Sequence, residues 1–146
     1  MDADESEADA LALRVAQAML AREGTGPAWG LELLAARTGY AKVAMRLRAD
    51  MLNGHGTAHG GMVFALADTA FAYACNSRNQ TTVAQQASIA FLSPAREGER
   101  LTAEAVELSL SGRSGVYRVS VTGEDGRAVA EFTGLSRTVG GPVVED

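Results

Sequence analysis

Asn53-Gly-His-Gly-Thr-Ala-His-Gly-Gly-Met-Val-Phe-Ala-Leu-Ala-Asp-Thr-Ala-Phe-Ala-Tyr-Ala-Cys75 is the stretch on which the fold turns. Its first part holds four glycines between Gly54 and Gly61, which marks a loop. Its second part, Met62 to Cys75, is rich in alanine, which favours helix. The apolar residues of that helix lie all round it and not along one stripe. Such a helix, in a chain that is not a membrane protein, is surrounded by other elements. Only two strongly polar residues interrupt it, Asp68 and Thr69. An acid on a wrapped helix is costly unless it is paired, hydrogen-bonded or facing a cleft.

The flanking sequence supplies the wrapping. Before the loop, Leu31, Leu33 and Ala35 suggest a strand from about Trp29, with a turn at Thr38-Gly39. Val43, Met45, Leu47, Ala49 and Met51 then alternate with Lys42, Arg46, Arg48 and Asp50, the pattern of a half-buried strand. After the helix come four strand-like runs: Thr82 to Leu92, Leu101 to Leu110, Val116 to Thr122 and Ala128 to Val139. Ser93-Pro94, Ser111-Gly112 and Asp125-Gly126 separate them. The simplest assembly is an α+β fold, one antiparallel sheet curled around one central helix. At the N-terminus, residues 1–28 read as a loose acidic tail followed by a helix capped by Ser6, with Leu11, Val15, Ala18 and Met19 at helical spacing. Residues 29–146 form the main domain, and the whole is one domain.

The chain has 146 residues, enough to bury a core without disulfides or metals. Its formal charge of −5 argues against nucleic acid or an anionic membrane as the partner. The single cysteine, Cys75, allows no intrachain disulfide and fits a reducing compartment. The first nine residues carry five acids, the opposite of a secretory signal, and the apolar run Met62 to Ala67 is too short to span a bilayer. A cytoplasmic protein is expected.

Glycines that run into a helix N-terminus expose backbone N–H groups, which bind anions or stabilise a developing oxyanion. Gly60 and Gly61 would let a ligand approach closely. No Gly-Lys-Ser/Thr follows, so the loop is not a P-loop. His55, His59 and Asp68 are metal-ligand types, but their spacing matches no zinc pattern and no metal is expected. A Ser-His-Asp triad lacks its Gly-x-Ser-x-Gly elbow. Asp68 facing a cleft, with its pKa raised by burial, remains as the candidate catalytic group.

The run Asn53 to Gly61, with Phe64, Leu66, Asp68-Thr69-Ala70 and the continuation to Ser77, resembles the signature of hotdog-fold thioesterases, closest to the PaaI type associated with phenylacetic acid degradation. The likeness covers about Leu31 to Arg137. It implies hydrolysis of an acyl-coenzyme A thioester, with phenylacetyl or a hydroxylated relative as the acyl group. It implies that Asp68 acts as nucleophile or general base, that the Gly60 amide polarises the thioester carbonyl, and that Asn53 binds the carbonyl or orients the attacking group. Thr69 would support Asp68 or the substrate, and His59 would shape the loop rather than accept a proton. Coenzyme A enters as part of the substrate, with no separate cofactor. Gly61 and Phe64 are expected beside the substrate; Met62, Phe64 and Phe71 are equally suited to line an acyl pocket or to fill the core. The turn Arg113-Ser114-Gly115, or else Arg96, is expected at the coenzyme arm.

Helix geometry adds a separate point. At 1.5 Å per residue, Asp68 lies about 12 Å along the axis from Gly60. One carbonyl must meet both groups, which two chains related by a twofold axis accomplish better than one. A homodimer with shared sites is therefore expected, and the resemblance implies that such dimers pair into homotetramers. Two other functions remain open at this stage. One is a hotdog hydratase or dehydratase, which needs a differently placed His and carboxylate. The other is a non-catalytic acyl-CoA binding protein.

Overall fold

The computed structural model describes residues 2–145. Helix α1 spans Ala3–Arg22 and starts at Asp2, whose side chain accepts from the Glu5 N–H at 2.7 Å. The cap is therefore Asp2 and not Ser6, and the acidic start is helix and not a loose tail: Asp4 and Glu5 in the first turn suit the positive end of the helix dipole. Ala12, Val15 and Ala16 are buried, and α1 lies against the first strand and the central helix. A short helix α2, Thr25–Trp29, follows. Gly30 closes it in the left-handed conformation, φ 63°, which a side chain would resist. Trp29 thus ends a helix instead of opening a strand.

Strands β1 (Glu32–Arg37) and β2 (Tyr40–Arg46) form a hairpin through Thr38-Gly39. β2 stops at Arg46, short of the expected Met51. Leu47 leaves the ladder to bond the Gly98–Glu99 backbone, donating to Glu99 O at 2.9 Å and accepting from Gly98 N at 2.7 Å, and Ala49–Met51 forms a 3₁₀ turn. Met51 stays buried but Ala49 is exposed, so the apolar alternation expected from Val43 to Met51 breaks where the backbone changes. Helix α3 spans Gly60–Cys75. Strands β3 (Thr82–Phe91), β4 (Arg100–Ser111), β5 (Ser114–Thr122) and β6 (Ala128–Thr138) complete the chain. Ser114 and Gly115 belong to β5 and not to the turn before it.

The six strands make one antiparallel sheet in the order β1-β2-β4-β5-β6-β3, curled on α3 as expected. One inner row shows how the core is built. Val43, Ala103, Val121 and Ala130 stand opposite one another across four strands, all buried. Phe64, Phe71, Tyr117 and Phe132 fill the space between sheet and helix, in edge-on or tilted contacts with centroids 5.4 to 5.6 Å apart.

The wrapping is incomplete within one chain. Gly61, Ala65, Asp68, Ala72 and Cys75, spaced four and three apart, form a stripe along α3 that the sheet leaves partly open. On the same side β3 is an edge strand ten residues long, and most of it is exposed. Among the described residues no helix is long and apolar enough to cross a membrane.

Candidate active site

The glycine loop holds itself together. Asn53 N donates to Thr57 O at 2.7 Å and Gly56 N to Asn53 O at 3.1 Å. The Asn53 side chain accepts from the amides of His55 (2.9 Å) and Thr57 (3.2 Å) and donates to Thr57 Oγ1 (3.0 Å). Gly56, with φ 79°, makes the turn possible. Asn53 therefore spends its polar atoms shaping the loop. Ala58 N donates to Ala95 O and His59 N to Met51 O, both at 2.8 Å, which fixes where α3 begins.

His59 caps that helix. Its Nδ1 accepts from Gly61 N at 2.9 Å, and its carbonyl accepts from Met62 N at 2.9 Å and Val63 N at 3.2 Å. Three of the first four amides are thereby used. Among the described residues nothing accepts from the Gly60 N–H. A single free amide at a helix N-terminus is the donor geometry that an anionic oxygen needs.

Gly60 opens onto a cleft of about 390 Å³, with Asn53 and Thr57 on one side and Val63, Phe91 and Val129 on the other. That volume falls within the usual range for small-molecule sites. Gly61, its amide committed to His59, is exposed beside the cleft and does not line it.

Asp68 lies two turns further along α3, on the open stripe and outside this cleft. It is half-buried, and among the described residues it has no hydrogen-bond or ion-pair partner. Burial alone pushes its carboxyl above the ordinary aspartate range. The same stripe carries Cys75, whose thiol is pushed up to about 12 by burial and then by the negative charge of Asp68. Thr69 is buried and donates to Ala65 O of its own helix at 2.8 Å, so its hydroxyl serves the helix and not Asp68.

The remaining expected residues separate. Phe64 packs edge-on against Phe132 at 5.4 Å, and Phe71 is fully in the core. Neither lines the Gly60 cleft. Arg113, Ser114 and Gly115 border a second, smaller crevice of about 70 Å³, next to Cys75 at the C-terminal end of α3. A side chain at Gly115 would come within 2.9 Å of Leu110, Tyr117 and Ser136, so close packing accounts for that glycine. Arg78 also borders this crevice and was not singled out in the sequence. Its guanidinium grips Glu107 at 2.6 and 2.9 Å, and Glu107 accepts from the Tyr117 hydroxyl at 2.8 Å. Arg78, first, and Tyr117 hold the Glu107 carboxyl below its ordinary range against the opposing effect of burial. Arg78 and Glu107 are 29 residues apart, a distance no local pattern bridges. Among the described residues no group of His, Cys, Asp and Glu is arranged to hold a metal, and His55 is exposed on the loop.

Comparison with known proteins adds relatives. A family model described as the thioesterase superfamily matches residues 55–130. The acyl-coenzyme A thioesterase PaaI of Escherichia coli strain K12 is 41% identical over 128 residues, which span 88% of this chain and 91% of that protein. A putative esterase of Deinococcus radiodurans is 42% identical over 106 residues, 72% of each chain. The structure of the E. coli PaaI protein, from the phenylacetic acid degradation operon, superposes with a TM-score of 0.90 at 40% identity, covering 92% of this chain and 97% of that one. A hypothetical thioesterase of Streptococcus pneumoniae TIGR4, crystallised with coenzyme A, gives a TM-score of 0.74 at 27% identity, covering 77% of this chain and 90% of that one.

Proposed function

The chain belongs to the thioesterase superfamily, and from that premise we propose the reaction it performs and the residues that carry it. It hydrolyses acyl-coenzyme A thioesters to the free acid and coenzyme A. The acyl group is phenylacetyl or a hydroxylated relative, a choice supported by the operon of the E. coli relative. The protein works in the cytoplasm and without metal or added cofactor.

The observation that carries the mechanism is the pairing of an unused amide with an unpartnered acid on one helix. The thioester carbonyl oxygen accepts from the Gly60 N–H. As the carbonyl carbon becomes tetrahedral, the charge on that oxygen grows and the hydrogen bond strengthens, aided by the α3 dipole. The Asp68 carboxylate attacks that carbon directly, or takes a proton from the water that does. The C–S bond then breaks and coenzyme A leaves as the thiolate. After direct attack the acyl group is left as an anhydride on Asp68, which a water cleaves to release the acid and restore the carboxylate. After attack by water the acid is released at once, and the proton held by Asp68 passes to the thiolate. Asn53 and His59 support the reaction by holding the loop and the helix start, and Thr69 by filling the helix beneath Asp68. Arg113 and Ser114 are available to the coenzyme arm at the crevice near Cys75.

About 12 Å of helix axis separates Gly60 from Asp68, so one carbonyl is served by two chains. The bare β3 edge and the open stripe of α3 lie on the same side. Pairing β3 with β3 of a second copy covers both and sets Gly60 of one chain against Asp68 of the other. Two such dimers associate into a tetramer. A hydratase is disfavoured because the Nδ1 of His59 is committed to capping α3.

The test is thiol release across an acyl-CoA panel at nanomolar enzyme, with molar mass measured by light scattering. Asp68→Asn and Asp68→Ala are expected to lose at least about a hundredfold in rate. In the wild type, kcat/KM should fall on the acid side at a pH above that typical of an exposed aspartate, because Asp68 acts ionised and its pKa is raised. Near-normal turnover in both variants sinks the role of Asp68. An active monomer sinks the shared site.

A further inference from the structure

We propose that Phe91 sets the acyl specificity of the Gly60 cleft, its ring forming the wall against which a planar aromatic acyl group is held beside the Gly60 amide. This rests on the hydrolase reading above and deepens it.

The argument begins with a row of the sheet. Val43, Ala103, Val121 and Ala130 stand in register on the inner face, each no more than 1% exposed. The next residue in that row is Phe91, opposite Ala130, and it is 56% exposed. Ala87 and Ile89, which alternate with it, pack against the core, so Phe91 also faces inward, toward α3. A large apolar ring on the inner face that stays half in solvent is facing a space, and that space is the cleft.

The ring also touches the site. A Cβ at Gly60 would stand 3.1 Å from Phe91 Cζ and 3.4 Å from Cε1. The tip of the ring therefore lies directly against the residue whose amide is the unused one among the first four of α3, and only glycine leaves it there.

The backbone beneath Phe91 is anchored. Leu92 N donates to Val129 O at 2.8 Å and Ser93 Oγ to Ala128 O at 2.6 Å. Arg127 bonds Ser93 Oγ, Pro94 O and Glu99 at 3.1, 3.1 and 2.7 Å. A ring on so fixed a support gives a defined surface. Since Phe64 and Phe71 are packed inward, Phe91 is the phenylalanine among the cleft residues. Aromatic rings recognise one another by edge-to-face or offset contact, which straight chains do not reproduce.

The experiment measures kcat/KM for phenylacetyl-CoA and hexanoyl-CoA in the wild type, Phe91→Ala and Phe91→Leu, with molar mass alongside. The expected result is a fall in the aryl-to-alkyl ratio of roughly threefold to tenfold in both variants, expressed mainly through KM, at unchanged molar mass. An unchanged ratio overturns the proposal. So does an equal loss on both substrates with altered mass, which marks Phe91 as a structural or interface residue. If Phe91→Ala fails to fold, Phe91→Leu alone decides. A wild type that releases no thiol from any acyl-CoA fails at an earlier step and overturns the hydrolase reading itself.

Discussion

The two ends of α3 are built on opposite plans. At the C-terminal end two buried polar side chains tie the helix to its neighbours. The Asn76 side chain donates to Ala72 O (2.8 Å) and Thr82 O (2.9 Å) and accepts from Thr82 N (2.9 Å). Ser77 Oγ accepts from Gly39 N at 2.8 Å. Both residues are buried, so these bonds lock the helix to the start of β3 and to the β1–β2 turn. At the N-terminal end the Gly60 amide is left over, and it faces a cleft. One end fastens the helix into the sheet, and the other presents what the fastening holds still.

The contrast breaks if changes at the closed end act on the chemistry, or changes at the open end act on the fold. The largest effect is expected at Asn76. Asn76→Ala removes three hydrogen bonds, two of them buried, and strands the Thr82 backbone groups, so it should cost about 3 kcal/mol in denaturant unfolding. The rate per folded molecule should change little. A sharp loss of rate in the folded fraction would show that the closed end is part of the site.

Gly60→Ala comes next. Its Cβ would sit 3.1 Å from Phe91, whose exposed ring can give way. Thiol release should fall about tenfold, ~1.4 kcal/mol, while stability holds or improves, since Ala suits a helix better than Gly. A fall in Tm with full activity would reverse the roles of the two ends.

The smallest effect expected is on the Tm of Asp68→Asn. The folded pKa of Asp68 lies above its unfolded value, so the ionised form favours the unfolded chain. That penalty is complete above the folded pKa and absent below the unfolded one. The variant should therefore melt higher than the wild type at neutral pH. Its advantage should shrink as pH falls through that window. Scanning calorimetry at several pH values checks the sign, and an equal Tm at neutral pH would indicate that Asp68 gains a partner in the proposed dimer.

What could be read from the sequence follows from how local each signal is. The central helix announced itself by its alanines, and Asp68 by being the acid that did not suit it. The last three strands fall within two residues of their expected bounds because Asp125-Gly126 and Ser111-Gly112 are local turn chemistry, the largest difference being at Ser114 and Gly115, which belong to β5. The misses depended on distant partners. β2 ends where Leu47 bonds the backbone near Gly98, about fifty residues away, and the expected alternation breaks in the 3₁₀ turn, with Ala49 exposed and Met51 buried. α2 is five residues long, too short for any periodicity to register. Phe91 reads as ordinary core at the end of an alternating strand. Only the sheet order, which leaves β3 at an edge beside the start of α3, exposes it. The open stripe was hidden for a related reason: apolar residues on every face of α3 indicate burial, and nothing in one chain's sequence says which chain does the burying.

The glycine loop has one more consequence. Its shape is completed by Asn53, Thr57 and its own backbone, with ties to Met51 and Ala95, before any ligand arrives. Chain segments that order on encounter slow association and weaken it, because their freedom is lost at that moment. Here that freedom is lost once, during folding. Capture at the Gly60 end should then be timed by diffusion and by the shedding of water from the cleft, not by any rearrangement of the backbone.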